Sequence, residues 1–217
     1  MKTFKQFLTE GKEFDKDEWL SYHNYTKNAD GSIDILGDVK IAGRLDYELG
    51  HGNYSLTSLP FKFNKITGNF SCFGGNLTSL EGSPRWVGGN FDCSYNNLTT
   101  LEGGPEYVGG YFDCSRNKLT DLHGSPLTIK KHFISTYNLL RTINCTTKYV
   151  GGYFDCMCND YLRSLDGLPE HIDTVIHLDG KFSLEDIAQA REKAKNRKYI
   201  RTLKYDDEIE GIGDIFD

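Results

Sequence analysis

Residues 88–108 read GGNFDCSYNNLTTLEGGPEYV, and residues 109–129 read GGYFDCSRNKLTDLHGSPLTI, the same phrase set 21 residues apart. Three further copies flank them: TGNFSCFGGNLTSLEGSPRWV at 67–87, KKHFISTYNLLRTINCTTKYV at 130–150 and GGYFDCMCNDYLRSLDGLPEHI at 151–172, the last carrying one extra residue. A fixed period in the twenties marks stacked units, none of which can bury its apolar face alone. Within each copy the spacing is F-x-C-x-x-N-x-L, as in Phe91, Cys93, Asn96 and Leu98 and again in Phe112, Cys114, Asn117 and Leu119. Residues two apart on a strand share a face. Phe and Cys are therefore expected inward, and Asn90, Asp92 and Ser94 outward. The asparagines from Asn96 to Asn159 are expected to form a ladder, each amide serving backbone groups in its loop.

This grammar resembles the leucine-rich repeat, L-x-x-L-x-L-x-x-N-x-L, with Phe and Cys at two of the leucine positions. The resemblance implies a solenoid with a parallel β-sheet on one face and a mostly irregular convex side, where Gly82–Pro84, Gly103–Pro105 and Gly124–Pro126 indicate turns. Short capping helices are expected at both ends. The N-terminal one is read over residues 13–28 with Trp19 and Leu20 inward, because an end coil would otherwise expose its apolar face. Asp30-Gly31 marks a turn, and Ile33, Ile35, Val39 and Ile41 alternate as strands do. Thr174–Leu178 reads as a final strand. Ser183 opens the closing helix as N-cap, with Asp186 in the reciprocal position. The chain thus divides into a leading peptide (1–10), an N-terminal cap, hairpin and first repeat (11–66), five repeats (67–172), a C-terminal cap (173–200) and an acidic tail (201–217).

Working outward, the ends differ in character from the middle. Residues 1–10, MKTFKQFLTE, suit an amphipathic helix or a frayed end. They also resemble the capsid-targeting sequence of internal head proteins of T-even-type tailed phages. Leu8, Glu10 and Gly11 match the site at which a prohead protease cuts. That resemblance implies a protein of the virion head, released into the host cytoplasm, with a host protein and the prohead protease as partners. The segment Leu45–Tyr54 is an apparent insertion, read either as a contact loop or as a tolerated surface insertion. Residues 205–217 hold six acidic residues and no basic one, which accounts for the whole net charge of −6. Disorder and a docking tail both fit that composition.

The remaining 204 residues sum to zero charge, so a nucleic-acid partner is not expected. No apolar run reaches membrane-spanning length. Cys72, Cys93, Cys114 and Cys156 share one inward position and read as small core residues of a reducing compartment rather than disulfide partners. Cys156 and Cys158 beside Cys145 lack the spacing of a zinc site. No phosphate loop, metalloprotease helix or nucleophile elbow occurs, so no enzyme activity, cofactor or metal is expected. A bacterial leucine-rich-repeat ubiquitin ligase is set aside because too few residues follow the repeats to hold its catalytic domain.

What the repeats offer is an outward face. Its columns run through Tyr111, His132 and Tyr153, then Asp92, Asp113, Ile134 and Asp155, then Ser94, Ser115 and Thr136, and last Tyr95, Arg116 and Tyr137. Tyr and Arg are favoured at binding hot spots, and the apolar Ile134 beside Tyr137 marks a contact patch. Asp92 and Asp113 fall on neighbouring strands, where like charges repel. Either solvent absorbs that cost, or a partner presents Arg or Lys to them. These residues are the candidate partner-binding set of a non-enzymatic module that binds and inhibits a host defence protein. A structural role in the head and a regulator made after infection are the alternatives.

Overall fold

A computed structural model describes residues 16–41, 57–183, 185–186, 188–189 and 199–203. One short helix, α1 (Lys16–Ser21), precedes the strands. The first sheet takes β1 (Asn24–Lys27), β2 (Ile33–Leu36), β4 (Phe63–Ile66), β6 (Trp86–Val87), β8 (Tyr107–Val108), β10 (Thr128–Ile129), β12 (Tyr149–Val150) and β14 (His171–Ile172), in that spatial order. The second takes β3 (Val39–Lys40), β5 (Phe70–Ser71), β7 (Phe91–Asp92), β9 (Phe112–Asp113), β11 (Phe133–Ile134), β13 (Phe154–Asp155), β15 (Val175–Asp179) and β16 (Tyr199–Leu203). Every pairing is parallel except the β1–β2 hairpin.

The chain is therefore a parallel β-solenoid of about five repeat turns, but with two sheets where the sequence led us to expect one. Each coil carries two short strands separated by a corner that is Gly-Gly in three copies, Thr67-Gly68 in the first and Lys130-Lys131 in the fourth. The corner does not break the ladder, since the amides of Gly88 and Gly89 bond the carbonyls of Ile66 and Gly68 in the coil before. Close approach explains the glycines. A Cβ on Gly110 would fall 2.0 Å from Asn90 Oδ1.

Three sides of each coil feed one continuous core. The second sheet supplies the Phe and Cys columns, the first supplies Ile66, Val87, Val108, Ile129 and Val150, and the return side supplies two columns of Leu or Ile, all buried. Phe70, Phe91, Phe112, Phe133 and Phe154 are in register across the sheet with ring centroids 4.9–5.5 Å apart. Stacking of identical residues at the strand spacing makes such a column self-consistent. The turns at Gly82, Gly103, Gly124 and Gly167 all have φ between 80° and 87°, which is why glycine recurs there. In the fourth copy Cys145 stands in line with these glycines, and the positive φ falls one residue earlier, at Asn144 (φ 34°). The extra residue of the last copy is extruded as the exposed Tyr161.

The asparagine ladder is complete. Asn117 Nδ2 donates to the carbonyls of Cys93, Cys114 and Ser115, while its Oδ1 accepts the Leu98 N–H at 2.9 Å. Asn96, Asn138 and Asn159 repeat the pattern. Ser135 replaces cysteine without loss, its hydroxyl donating to the Asp155 carbonyl as the Cys93 thiol does to that of Asp113.

At the ends, Trp19 and Leu20 are buried as expected, but the helix stops at Ser21, and residues 24–27 form β1 instead. The hairpin with β2 gives Tyr25 and Thr26 inter-strand partners that an exposed helix would not. The expected strand after Ile172 is Val175–Asp179. Ser183 and Asp186 exchange capping hydrogen bonds, Asp186 N–H to Ser183 Oγ and Ser183 N–H to Asp186 Oδ2, and the described residues 185–186 and 188–189 are helical. β16 crosses the boundary drawn between cap and tail at residue 200. The leading peptide with Leu8, Glu10 and Gly11, the Leu45–Tyr54 insertion and the tail beyond Leu203 lie outside the described residues.

Candidate interaction surface

The outward face of the second sheet brings together all ten candidate residues. With eight strands at about 4.8 Å it is roughly 34 Å long, enough for a specific interface of about 800 Å² per partner.

Its first column holds the coils together as well as facing solvent. Asn69 Oδ1 accepts the Asn90 N–H, Asn90 Oδ1 accepts that of Tyr111, and His132 Nδ1 accepts that of Tyr153 at 3.2 Å. The His132 and Tyr153 rings stack at 3.8 Å, and Tyr153 in turn stacks on His177 at 5.2 Å. Burial, with Lys131 and His177 nearby, holds the His132 imidazole below its usual pKa of 6.5. His177 joins the face. Its Nδ1 lies 3.6 Å from Asp155 Oδ2.

The aspartate column has a local duty. Asp92 Oδ1 accepts both the N–H and the hydroxyl of Ser94, Asp113 Oδ1 accepts the Ser115 N–H, and Asp155 Oδ1 accepts the Met157 N–H. Each carboxylate thus closes an Asx turn at its strand end. Ser94 and Ser115 are consequently buried, which corrects their outward placement. Asp113 is nonetheless uncomfortable. Burial raises its carboxyl pKa, with Asp92 and Asp155 adding to the shift against its two hydrogen bonds from Ser115.

The outermost column is the least ordinary. Tyr95, Arg116 and Tyr137 occupy the left-handed region at φ 57°, 54° and 55°, where the first coil has Gly74 at φ 70°. Because the three share one backbone conformation in successive coils, their side chains stack. The Arg116 guanidinium lies 4.9 Å from the Tyr95 ring centroid and 4.1 Å from that of Tyr137. Phe73 extends the row, 5.0 Å from Tyr95. Tyr95 is 48% exposed and Tyr137 42%.

The first sheet also carries an aromatic row, which the sequence reading passed over. Trp86 and Tyr107 stack at 5.4 Å and 4°, Lys65 covers the other face of Trp86, and Tyr149 donates its hydroxyl to Asp173. Those faces are occupied from within the chain, so this row reinforces the scaffold.

Among the described residues no three His, Cys, Asp or Glu side chains converge as metal ligands, and the six cysteines are free thiols. The Cys156 thiol is buried, with its pKa raised well above the usual 9.0, and bonds the His177 carbonyl. No described helix is long and apolar enough to cross a membrane. Comparison with known proteins finds no matching family model, no matching curated protein and no matching solved structure.

Proposed function

We propose that the chain is a non-enzymatic protein-binding module of the leucine-rich-repeat kind, capped at both ends by its short helical segments, and that the outward face of the second sheet is its recognition surface. The observation that carries this reading is the Tyr95–Arg116–Tyr137 column. A non-glycine residue in the left-handed region costs about 1–2 kcal/mol, and glycine would serve the turn without that cost, as Gly74 does. Strained backbone that persists against the scaffold's interest points to a role outside the scaffold. Tyr and Arg are also the residues that dominate binding energy at interfaces.

The leading decapeptide supports a finer reading. In it the protein is packaged in a tailed-phage head, cut after Glu10, and delivered to the host cytoplasm to bind and inhibit a defence protein, one with a basic surface toward Asp92, Asp113 and Asp155. Mass spectrometry of purified particles tests packaging, since a peptide beginning at Gly11 is expected there. Its absence, together with an intact Met1 end on protein from infected cells, would leave a regulator made after infection. High copy number without any host partner would indicate a structural head protein instead.

A further inference from the structure

We propose that Arg116 is a preorganised receptor for a carboxylate, and that the partner seats an Asp or Glu side chain on it. This rests on the reading of the second-sheet face as a protein-binding surface and adds the chemistry recognised at its centre. The guanidinium makes cation–π contacts with the Tyr95 ring in the coil before and the Tyr137 ring in the coil after. Neither contact uses the fork of N–H donors, which matches a carboxylate in bidentate fashion. Among the described residues the Arg116 side chain has no hydrogen-bond or ion-pair partner, whereas Arg85, just before a strand of the first sheet, is neutralised by Glu106. The side chain is solvent-exposed, yet it is flanked by a ring on each neighbouring coil, which lowers the rotamer freedom it has to lose on binding.

Charge distribution selects the source of the anion. Asp92 and Asp113 stand on the strands that lead into the Tyr95 and Arg116 turns, and Asp155 lies two strands from Asp113 in the same column. A nucleic acid, anionic along its whole length, would meet those carboxylates. A protein segment can instead offer one acid to Arg116 and bases to the aspartates.

The test is an NMR titration of the full chain that follows the arginine side-chain Nε–Hε signals. The probes are an N-acetylated Lys-Gly-Glu-Gly-Lys amide peptide, inorganic phosphate and oligothymidine. The proposal expects the Arg116 signal to shift saturably with the peptide, with Arg141 and Arg163 unmoved, and the apparent Kd to weaken at least fivefold in Tyr137→Gly. No Arg116 shift, or equal shifts at all three arginines, would overturn it. So would stronger binding of phosphate or oligothymidine than of the peptide. Because the probe is a peptide, a failure here leaves partner capture by the face as a separate measurement.

Discussion

Asp92 and Asp113 lie directly opposite each other on adjacent parallel strands, in the register that also pairs Phe91 with Phe112. The same register that stacks the phenylalanines favourably inside therefore stacks two like charges outside. Asp113 binds its proton more tightly in the folded chain than the ordinary 3.8 because of burial first and of Asp92 and Asp155 next. A raised folded pKa means that folding loses stability as pH rises through the carboxylate range. Asp113→Asn keeps the Oδ1 that accepts the Ser115 N–H. It should raise the melting temperature at pH 7 and change it little at pH 3, read by calorimetry at both values.

His132 gives the opposite dependence. Only the neutral imidazole can accept the Tyr153 N–H at Nδ1. Its folded pKa lies below the ordinary 6.5, so its contribution is complete above that value and declines as pH falls through and below it. Asn90 does the same job two coils earlier. His132→Asn should flatten the stability profile between about pH 7 and pH 5, as followed by urea unfolding.

The asparagine ladder should rival the leucines in importance. Leu119→Ala should cost about 2–5 kcal/mol. Asn117→Ala orphans the Leu98 N–H and withdraws a donor from three carbonyls. At about 1–3 kcal/mol per unsatisfied group, its loss should fall in the same range. Asn117→Asp should not rescue it, because the carboxylate cannot donate. Chemical denaturation of the three variants checks the order.

In the outermost column the usual ranking of alanine over glycine should invert. At φ 55°, Tyr137→Gly should be more stable than Tyr137→Ala by about 1 kcal/mol. Equal stabilities would mean that the left-handed turn is not held in solution.

Much of this was legible in the sequence, for a physical reason. Phe91, Cys93, Asn96 and Leu98 recur at one spacing because stacking demands the same residue at the same height in every coil. The inward columns and the asparagine ladder could be written down in advance. The first sheet was missed because its strands within the repeats are only two residues long, too short for period-two alternation. Its signal was present in the aromatic or β-branched pairs Trp86-Val87, Tyr107-Val108 and Tyr149-Val150 ahead of each Gly-Gly, and in Thr128-Ile129 ahead of Lys130-Lys131. The buried Ser94 was misplaced because strict alternation was carried past the strand end, where the Asp92 turn rotates the chain. The left-handed column also left one clue, the glycine at 74 in line with Tyr95, Arg116 and Tyr137.

The central claim is that the second sheet's outward face, and not the first sheet's, binds a protein. Its most direct test is quantitative mass spectrometry of proteins retained from host lysate by three immobilised chains: wild type, Arg116→Glu with Tyr137→Gly, and Tyr107→Ser on the first sheet. Proteins held by wild type and Tyr107→Ser but lost from the Arg116–Tyr137 double variant, with all three chains folded, are the predicted result. An identical set retained by all three would contradict it.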